Sequence, residues 1–473
     1  MFSCFFVFTI IKITNKYKNM FKILHLLIQT ARLCILAFLA NLVFPAFGEW
    51  DNWRGPNFNG SAGSDDELPS SFDKSKGVKW VSDLPGSSAA TPIVYKGLVF
   101  VPSVKISTNK RGDGKLMAIC LNASNGRVVW EREAGSGYKP GNGDGFDYQL
   151  HDRSNYASPS PVVGNGKVYF FFGNGDLVAY DFEGNLVWRR NLQKDYGDFN
   201  FQWTFSASPT FYNNNLYLPV LQRDEPVHGR GNNDAKSFLL CIDSHDGKTI
   251  WKHVRSSPAK KESLESFGTI IPHNNELIVA GGDVLTSHDP GTGRELWRWG
   301  TWNPGHKEQW WRLVPSPVVG DNVILVCAPK RAPVFAIEIP KQNINDSPKL
   351  RWSTNENPSI TSDVPTPLFY RNKFYVLSDL KKNLSKIDPV TAKTEWSLDL
   401  PGKYKWRSSP TAGDGKVFLM NHNATVLVVD AVSGKTIHMT EMGDSYDDNT
   451  RSSISISRSN LYVRTNKKLY CIE

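Results

Sequence analysis

The strongest constraint on the fold is a tryptophan that returns six times at the end of the same short pattern. Trp130, Trp188, Trp251, Trp297, Trp352 and Trp396 close stretches such as "CLNASNGRVVW", "AYDFEGNLVW" and "CIDSHDGKTIW". Each stretch holds a β-rich run, an acidic or amide residue, a Gly or Lys turn and a final run ending in Trp. Upstream lies a small-residue segment ending in Pro or its substitute: "AATPIV" (89–94), "SPSPVV" (158–163), "SASPTF" (206–211), "FGTIIP" (267–272), "VPSPVV" (314–319), "VPTPLF" (364–369), "RSSPTA" (407–412) and "SSISIS" (452–457). A second run such as "NGKVYFFF" or "GDGKVFLM" sits between them. Repeats of about 42–69 residues therefore fill the chain. Period-2 alternation, β-branched and aromatic enrichment and Asn-Gly or Asp-Gly turns make each unit a four-stranded antiparallel sheet. One such sheet cannot bury both faces alone, so the units must stack radially.

Counting the units sets the architecture. Seven are complete. The eighth begins at Ser452 and the sequence ends at Glu473, inside its third strand. The missing fourth strand is "GVKWVSDL" (77–84), which carries Trp80. The expectation is an all-β, eight-bladed propeller over 77–473, its ring closed by the N-terminal strand. Trp80, Trp130, Trp188, Trp251, Trp297, Trp352 and Trp396 are expected to dock between blades, and His438 takes that place in the seventh unit. The aromatic, turn-rich "EWDNWRGPNFNG" (49–60) opens a clasp over 49–76. Its rings are expected across the outside or bottom of the ring closure.

The Ala/Cys-x-Asp-x-x-x-Gly-x-x-x-Trp pattern resembles the tryptophan-docking repeat of PQQ-like β-propellers, a family that includes quinoprotein alcohol dehydrogenases and the outer-membrane assembly factor BamB. "WDNWRGPNFNG" resembles the opening of a secreted, planctomycete-type branch. The resemblance spans about residues 49–473 and implies fold more than function. It implies two activities: a BamB-like binding scaffold, or a dehydrogenase using PQQ with calcium. Quinoprotein dehydrogenases commonly carry a vicinal Cys-Cys ring beside the cofactor. This sequence has no Cys-Cys pair and no assignable carboxylate set for calcium and base.

Residues 1–48 read as a signal peptide, with Met20 a plausible true start. They hold five basic residues and no acidic one, then the apolar run "CILAFLANLVF", then Ala46 and Gly48 as a small-x-small exit. An uncleaved anchor is the alternative, but the run is shorter than the ~20 residues a span needs. Five of the nine net positive charges belong to this leader, leaving +4. That balance gives no reason to expect nucleic acid as a partner. The expected location is periplasmic or secreted, with no membrane span after cleavage and a monomeric state. Cys120, Cys241 and Cys471 fall at one position of three different blades and Cys327 on another strand. They read as small buried thiols, with Cys120–Cys471 the one pairing left open.

Long connections concentrate at 135–156, 191–205, 252–266, 298–313 and 439–451, with 103–114 and 221–236 inside blades. Connections into the innermost strands gather on one face, around the channel mouth. They place Trp203, Trp302, Trp310, Trp311, Arg312, Trp406, Arg407 and Arg451 there as candidate ligand-binding residues, with Tyr148 and His151. Trp and Arg together suit a carboxylate, a sugar or a peptide. "GNGDGFDYQLHD" (141–152) and "GDSYDDN" (443–449) offer acidic side chains without the order of a calcium loop. No nucleophile, phosphate-loop or metal motif stands out. The function expected is an exported, non-catalytic scaffold binding a protein or other envelope ligand at the channel mouth, without a cofactor. The alternatives are a PQQ-dependent dehydrogenase with calcium and a carbohydrate-binding propeller with a glycan partner.

Overall fold

The computed structural model describes residues 48–63, 66–106, 114–138, 154–227, 229–340 and 347–473. The leader, apart from Gly48, and all of 141–152, with Tyr148 and His151, fall outside them. Within them the chain forms eight four-stranded antiparallel sheets. The innermost strands are three residues long, from Ile93–Tyr95 in the first blade to Ser455–Ser457 in the eighth. Innermost strands of neighbouring blades touch one another, which places them around a central channel. The only α-helix among the described residues is a five-residue turn, Leu192–Tyr196.

Val78–Asp83 completes the eighth blade by pairing antiparallel with Lys468–Ile472, Trp80 opposite Cys471 and Asp83 opposite Lys468. The N-terminal strand therefore closes the ring. In the first blade the segment expected as a loop at 103–114 is partly ladder. Its strands run to Ile106 and from Gly114, and they pair along that length.

Six of the seven docking indoles reach the next blade. The ring N–H of Trp80, Trp130, Trp188, Trp251 and Trp352 donates to the carbonyls of Ala123, Phe182, Ser244, Pro290 and Pro389 respectively, at 2.8–3.1 Å. Trp396 lies over Gly434 of the following turn. Trp297 instead donates to Glu276 of its own blade, at 2.8 Å. His438 has a physical reason to differ. The turn it would dock on is the one interrupted by the two ends of the propeller chain. Its Nε2 donates to the Phe72 carbonyl at 2.6 Å, and the two rings lie 5.7 Å apart.

A second tie joins the blades nearer the channel. The backbone N–H of Thr91 donates to the Ser160 hydroxyl, Ser160 to Ser208, Ser208 to Thr269, Thr269 to Ser316, Ser316 to Thr366, Thr366 to Ser409, and Ser409 to Ser453, at 2.8–3.1 Å. This belt crosses seven of the eight seams. At the eighth, Ser452 Oγ donates to the Ala90 carbonyl at 2.8 Å, and buried Arg464 donates to the Pro102 carbonyl at 2.6 Å. Each tie meets a buried backbone group that water cannot reach.

Of the two placements expected, outside or bottom, the clasp takes the bottom of the ring. Trp50 bridges Val94, the Asp51 carbonyl accepts the Val163 N–H, and Ser61 pairs with Ala412. Arg54 donates to the carbonyls of Pro367 and Pro410 at 2.8 and 3.0 Å. These partners lie on, or one residue before, the innermost strands of the first, second, sixth and seventh blades. The clasp thus plugs the channel floor. Trp50 is fully buried and Arg54 is 1% exposed. Burial pushes the Arg54 guanidinium down to about 9.

All four described cysteines are buried and free, so Cys120 and Cys471 form no bond. Burial raises the Cys120 and Cys471 thiols to about 12 and that of Cys241 to about 11, which makes them poor nucleophiles.

Two stability experiments follow from this architecture. Gly434 and Gly402 both have positive φ, but a Cβ on Gly434 would lie 2.6 Å from the Trp396 ring while one on Gly402 meets nothing within 4 Å. Both alanine variants should lose about 1–2 kcal/mol to backbone strain. Gly434→Ala should lose a further ~1–3 kcal/mol from overpacking. Equal denaturation midpoints would contradict docking through this turn. Trp50→Ala should cost about 3–5 kcal/mol, as for other buried aromatics. Chemical denaturation indistinguishable from wild type would mean the plug is dispensable.

Candidate functional site: the channel cavity

Above the plug lies a cavity of about 200 Å³. Its floor carries Trp53 from the clasp. Its wall is built from the belt and from the residues two positions before each belt residue. Those eight residues, one per blade, are Ala89, Ser158, Ser206, Phe267, Val314, Val364, Arg407 and Arg451, and all line the cavity. The ring is chemically uneven. The first three blades present small side chains, the next three an apolar arc, and the last two arginines. Trp203, Thr204 and Arg312 complete the lining.

The arginines differ in what they have left to offer. Arg312 is bidentate on Asp363, at 3.2 and 3.3 Å, and lies 3.6 Å from Glu262. Burial works to raise the Asp363 carboxyl, but Arg312 and the Lys330 amide outweigh it and hold it below the usual range. Arg407 donates only through Nε, to Asp379 at 2.8 Å. Asp379 also accepts the Asp363 N–H at 3.1 Å. Burial pushes the Asp379 carboxyl up, against the pull of Arg407. Arg407 is 8% exposed, and its two terminal nitrogens donate to no described residue. Arg451 is held by the Asn449 side chain, at 2.8 and 3.1 Å.

The remaining candidates scatter. Trp406 is fully buried, its N–H on the Pro401 carbonyl at 3.1 Å. Trp302 is 3% exposed, inside the core of the fourth and fifth blades. Trp311 is half-buried against that core. Trp310 is exposed, with Lys261 and Arg223 over its ring at 5.3 and 5.9 Å. Only Trp203 and the three arginines of the expected set meet in the cavity. The acidic 443–449 loop is met by lysines, with Lys74 and Lys468 each 2.8 Å from Asp444. The reading of single residues missed Trp53, Phe267 and the belt. The signal for Phe267 and the belt was the fixed offset from the Ser/Thr position of each unit; Trp53, in the clasp, follows no repeat.

The family described as outer membrane protein assembly factor BamB, built on PQQ repeats, matches residues 62–218, 156–349 and 344–473. The chain belongs to this family. No curated protein sequence is recognisably similar to it. Among solved structures it is similar to a europium-containing methanol dehydrogenase (TM-score 0.63, 11% identity, covering 90% of this chain and 98% of that one). It is also similar to BamB from Moraxella catarrhalis (0.54, 9%, 83% and 95%). A third is the quinohemoprotein alcohol dehydrogenase from Comamonas testosteroni (0.57, 12%, 90% and 80%). At these identities the likeness is one of fold.

Quinoprotein relatives raise the question of a metal-held quinone. Hard cations need clustered oxygen ligands, mostly carboxylates. No acidic residue lines the cavity, and no three His, Cys, Asp or Glu side chains converge among the described residues. Three guanidiniums at the wall oppose a cation. The residues present do not fit such a cofactor.

The contrast between two tryptophans is testable. Trp406→Ala should cost about 3–5 kcal/mol. Trp310→Ala should stay within about 0.5 kcal/mol, as surface changes do. Similar losses for both, read by denaturant midpoint, would contradict this sorting of the mouth residues.

Proposed function

We propose that the protein is an exported, non-catalytic propeller that binds a protein partner of the cell envelope through its channel-mouth face. Export rests on the leader pattern of residues 1–48. No helix among the described residues is long and apolar enough to cross a membrane. The observation that carries the binding reading is the cavity's own chemistry. It offers arginine, hydroxyl and apolar contacts on a plugged frame, with no carboxylate lining it among the described residues. Such a surface recognises; proton or hydride transfer needs groups it does not present. Family membership supports a protein partner, because the family is described by an assembly factor. The glycan reading rested on a Trp-lined mouth. With Trp302 and Trp406 buried, the tryptophans lining the cavity are Trp53 and Trp203, and Trp310 is exposed outside that lining.

Two measurements test the proposal. Incubation with PQQ and calcium, then alcohol- or sugar-dependent dye reduction, should show no turnover. Turnover that vanished on removing either cofactor would overturn it. Affinity capture from envelope extracts should recover one protein with the wild type and lose it with Arg407→Glu. Recovery of the same material by both would place the partner elsewhere.

A further inference from the structure

Three neighbouring mouth loops turn their cations outward and most of their carboxylates inward. The loops are 256–266, before the fourth blade, 302–313, before the fifth, and 328–333, inside the fifth. Lys260, Lys261, Lys307, Lys330 and Arg331 are exposed, while Glu262 and Glu265 are buried. Glu308 is the one exposed carboxylate of these loops. Glu262 lies 3.6 Å from Arg312 and 3.8 Å from Lys330, and Glu265 pairs with Arg223. Lys260, Lys261, Lys307 and Arg331 pair with no carboxylate among the described residues. A sequence of nearly balanced charge thus presents a cationic surface.

Trp310 stands among these cations and is half exposed. Lys261 Nζ and the Arg223 guanidinium lie over its ring at 5.3 and 5.9 Å, and Lys330 Nζ donates to its carbonyl. The loops are stitched together beneath it. The Ser263 N–H donates to the Gln309 carbonyl at 3.1 Å. The Ser263 hydroxyl donates to the Glu308 carbonyl at 2.7 Å and accepts the Trp311 N–H at 2.8 Å. Lys330 and Arg331 follow one another in left-handed backbone, with φ of 52° and 72°. That conformation strains residues with a Cβ, and such strain gathers at functional sites.

Resting on the binding reading above, we infer that Trp310 and the cations around it dock an acidic segment of the partner protein. The segment's carboxylates meet the outward cations, and one of its apolar side chains covers the indole. An exposed Trp framed by charge is the usual anchor of a protein interface. The same features disfavour other polyanions. Single-stranded nucleic acid stacks its bases on successive open rings, whereas one ring is exposed here and cations already lie over it. A lipid surface is entered by a face of several apolar side chains, and Trp310 is the only large one these loops expose. The cationic surface ends at the third blade, where Asp224 and Glu225 are exposed next to Arg223.

The test uses the whole exported chain. Probes are a labelled peptide Glu-Glu-Leu-Glu-Glu-Phe-Glu-Glu, the same peptide with Gln for every Glu, a labelled oligothymidylate, and phosphatidylglycerol vesicles. Anisotropy reads the first three and co-sedimentation the last. The acidic peptide should bind, and the Gln peptide at least about tenfold more weakly. Raising salt from about 0.05 to about 0.5 M should weaken the acidic peptide strongly, because exposed charges are screened. Trp310→Ala and Lys261→Glu should each weaken it about tenfold, as interface anchors do. Lys261→Met serves if Lys261→Glu fails to fold. Lys435→Glu makes the same charge change in a turn at the other ends of the strands, and should leave binding within about twofold. No binding of the acidic peptide, equal binding of the two peptides, tighter binding of the oligothymidylate, binding of the vesicles alone, or equal losses from Lys261→Glu and Lys435→Glu would overturn the inference. In envelope capture, Lys261→Glu should lose the protein that the wild type recovers. Its retention by Lys261→Glu and loss by Arg407→Glu defeats this inference alone. No recovery by the wild type, or PQQ-dependent turnover, defeats the binding reading beneath it, while the peptides still decide this one.

Discussion

Seven times around the channel, a backbone N–H of one blade meets a Ser or Thr hydroxyl of the next. The position is constrained from both sides. The next residue is Pro in six of the eight units, and Pro has no N–H to offer. The belt residue's own N–H is thus the last donor before the innermost strand, and it is buried. An unmet buried donor costs about 1–3 kcal/mol, against a net gain near 1 kcal/mol for each bond made. Only a short hydroxyl side chain from the neighbouring blade fits the gap. The belt therefore ties blades at the narrow end of each wedge, while the docking indoles tie them at the wide end.

The two kinds of tie together reach round the ring, and the chain ends fall inside one blade. The eighth blade takes its outer strand from residues 78–83, and the seam after it uses Trp80, Ser452 and Arg464. The clasp extends that closure inward. At Gly48 its carbonyl accepts from the Ser457 hydroxyl and the Arg458 N–H; it then passes Val94 and Val163 and crosses to Phe369 and Ala412. One short segment therefore joins blades from opposite sides of the ring. Arg54 anchors it by giving its guanidinium to backbone carbonyls of two blades. A buried cation without a carboxylate is costly, and the depressed Arg54 value reflects that cost.

The fold was legible because its ties recur. Trp ending each fourth strand, the turn before it and the small-residue step before each first strand gave eight blades and the closing strand. His438 was legible as an exception, but its reason needed the third dimension, where the neighbouring turn is broken by the chain ends. Between the outside and the bottom of the closure the sequence could not choose for the clasp, because its partners are 44 to 410 residues away in sequence and follow no period; Trp50–Val94 and Gly48–Arg458 are examples. The mouth was only partly legible. Trp302 and Trp406 have the composition of binding residues, yet they lie in loops that fold back onto blades, where a large ring is worth most when buried. Arg407 and Arg451 were found by their shared offset, and that same offset, followed around all eight units, leads to Phe267, Val314 and Val364.

That offset shows how a repeated frame carries a single site. The belt position admits only Ser or Thr, since its hydroxyl holds the next blade. Two residues earlier, the side chain lines the channel and varies from blade to blade, although Arg407 also pairs with Asp379 of the preceding blade. Across the eight units it is Ala, Ser, Ser, Phe, Val, Val, Arg and Arg. Strict chemistry at one ring and free chemistry at the adjacent ring separate stability from recognition. A symmetric frame of eight equal wedges can then present an asymmetric wall, apolar along one arc and cationic along the next. A change at this ring alters what the channel accepts while the belt hydrogen bonds between blades stay in place.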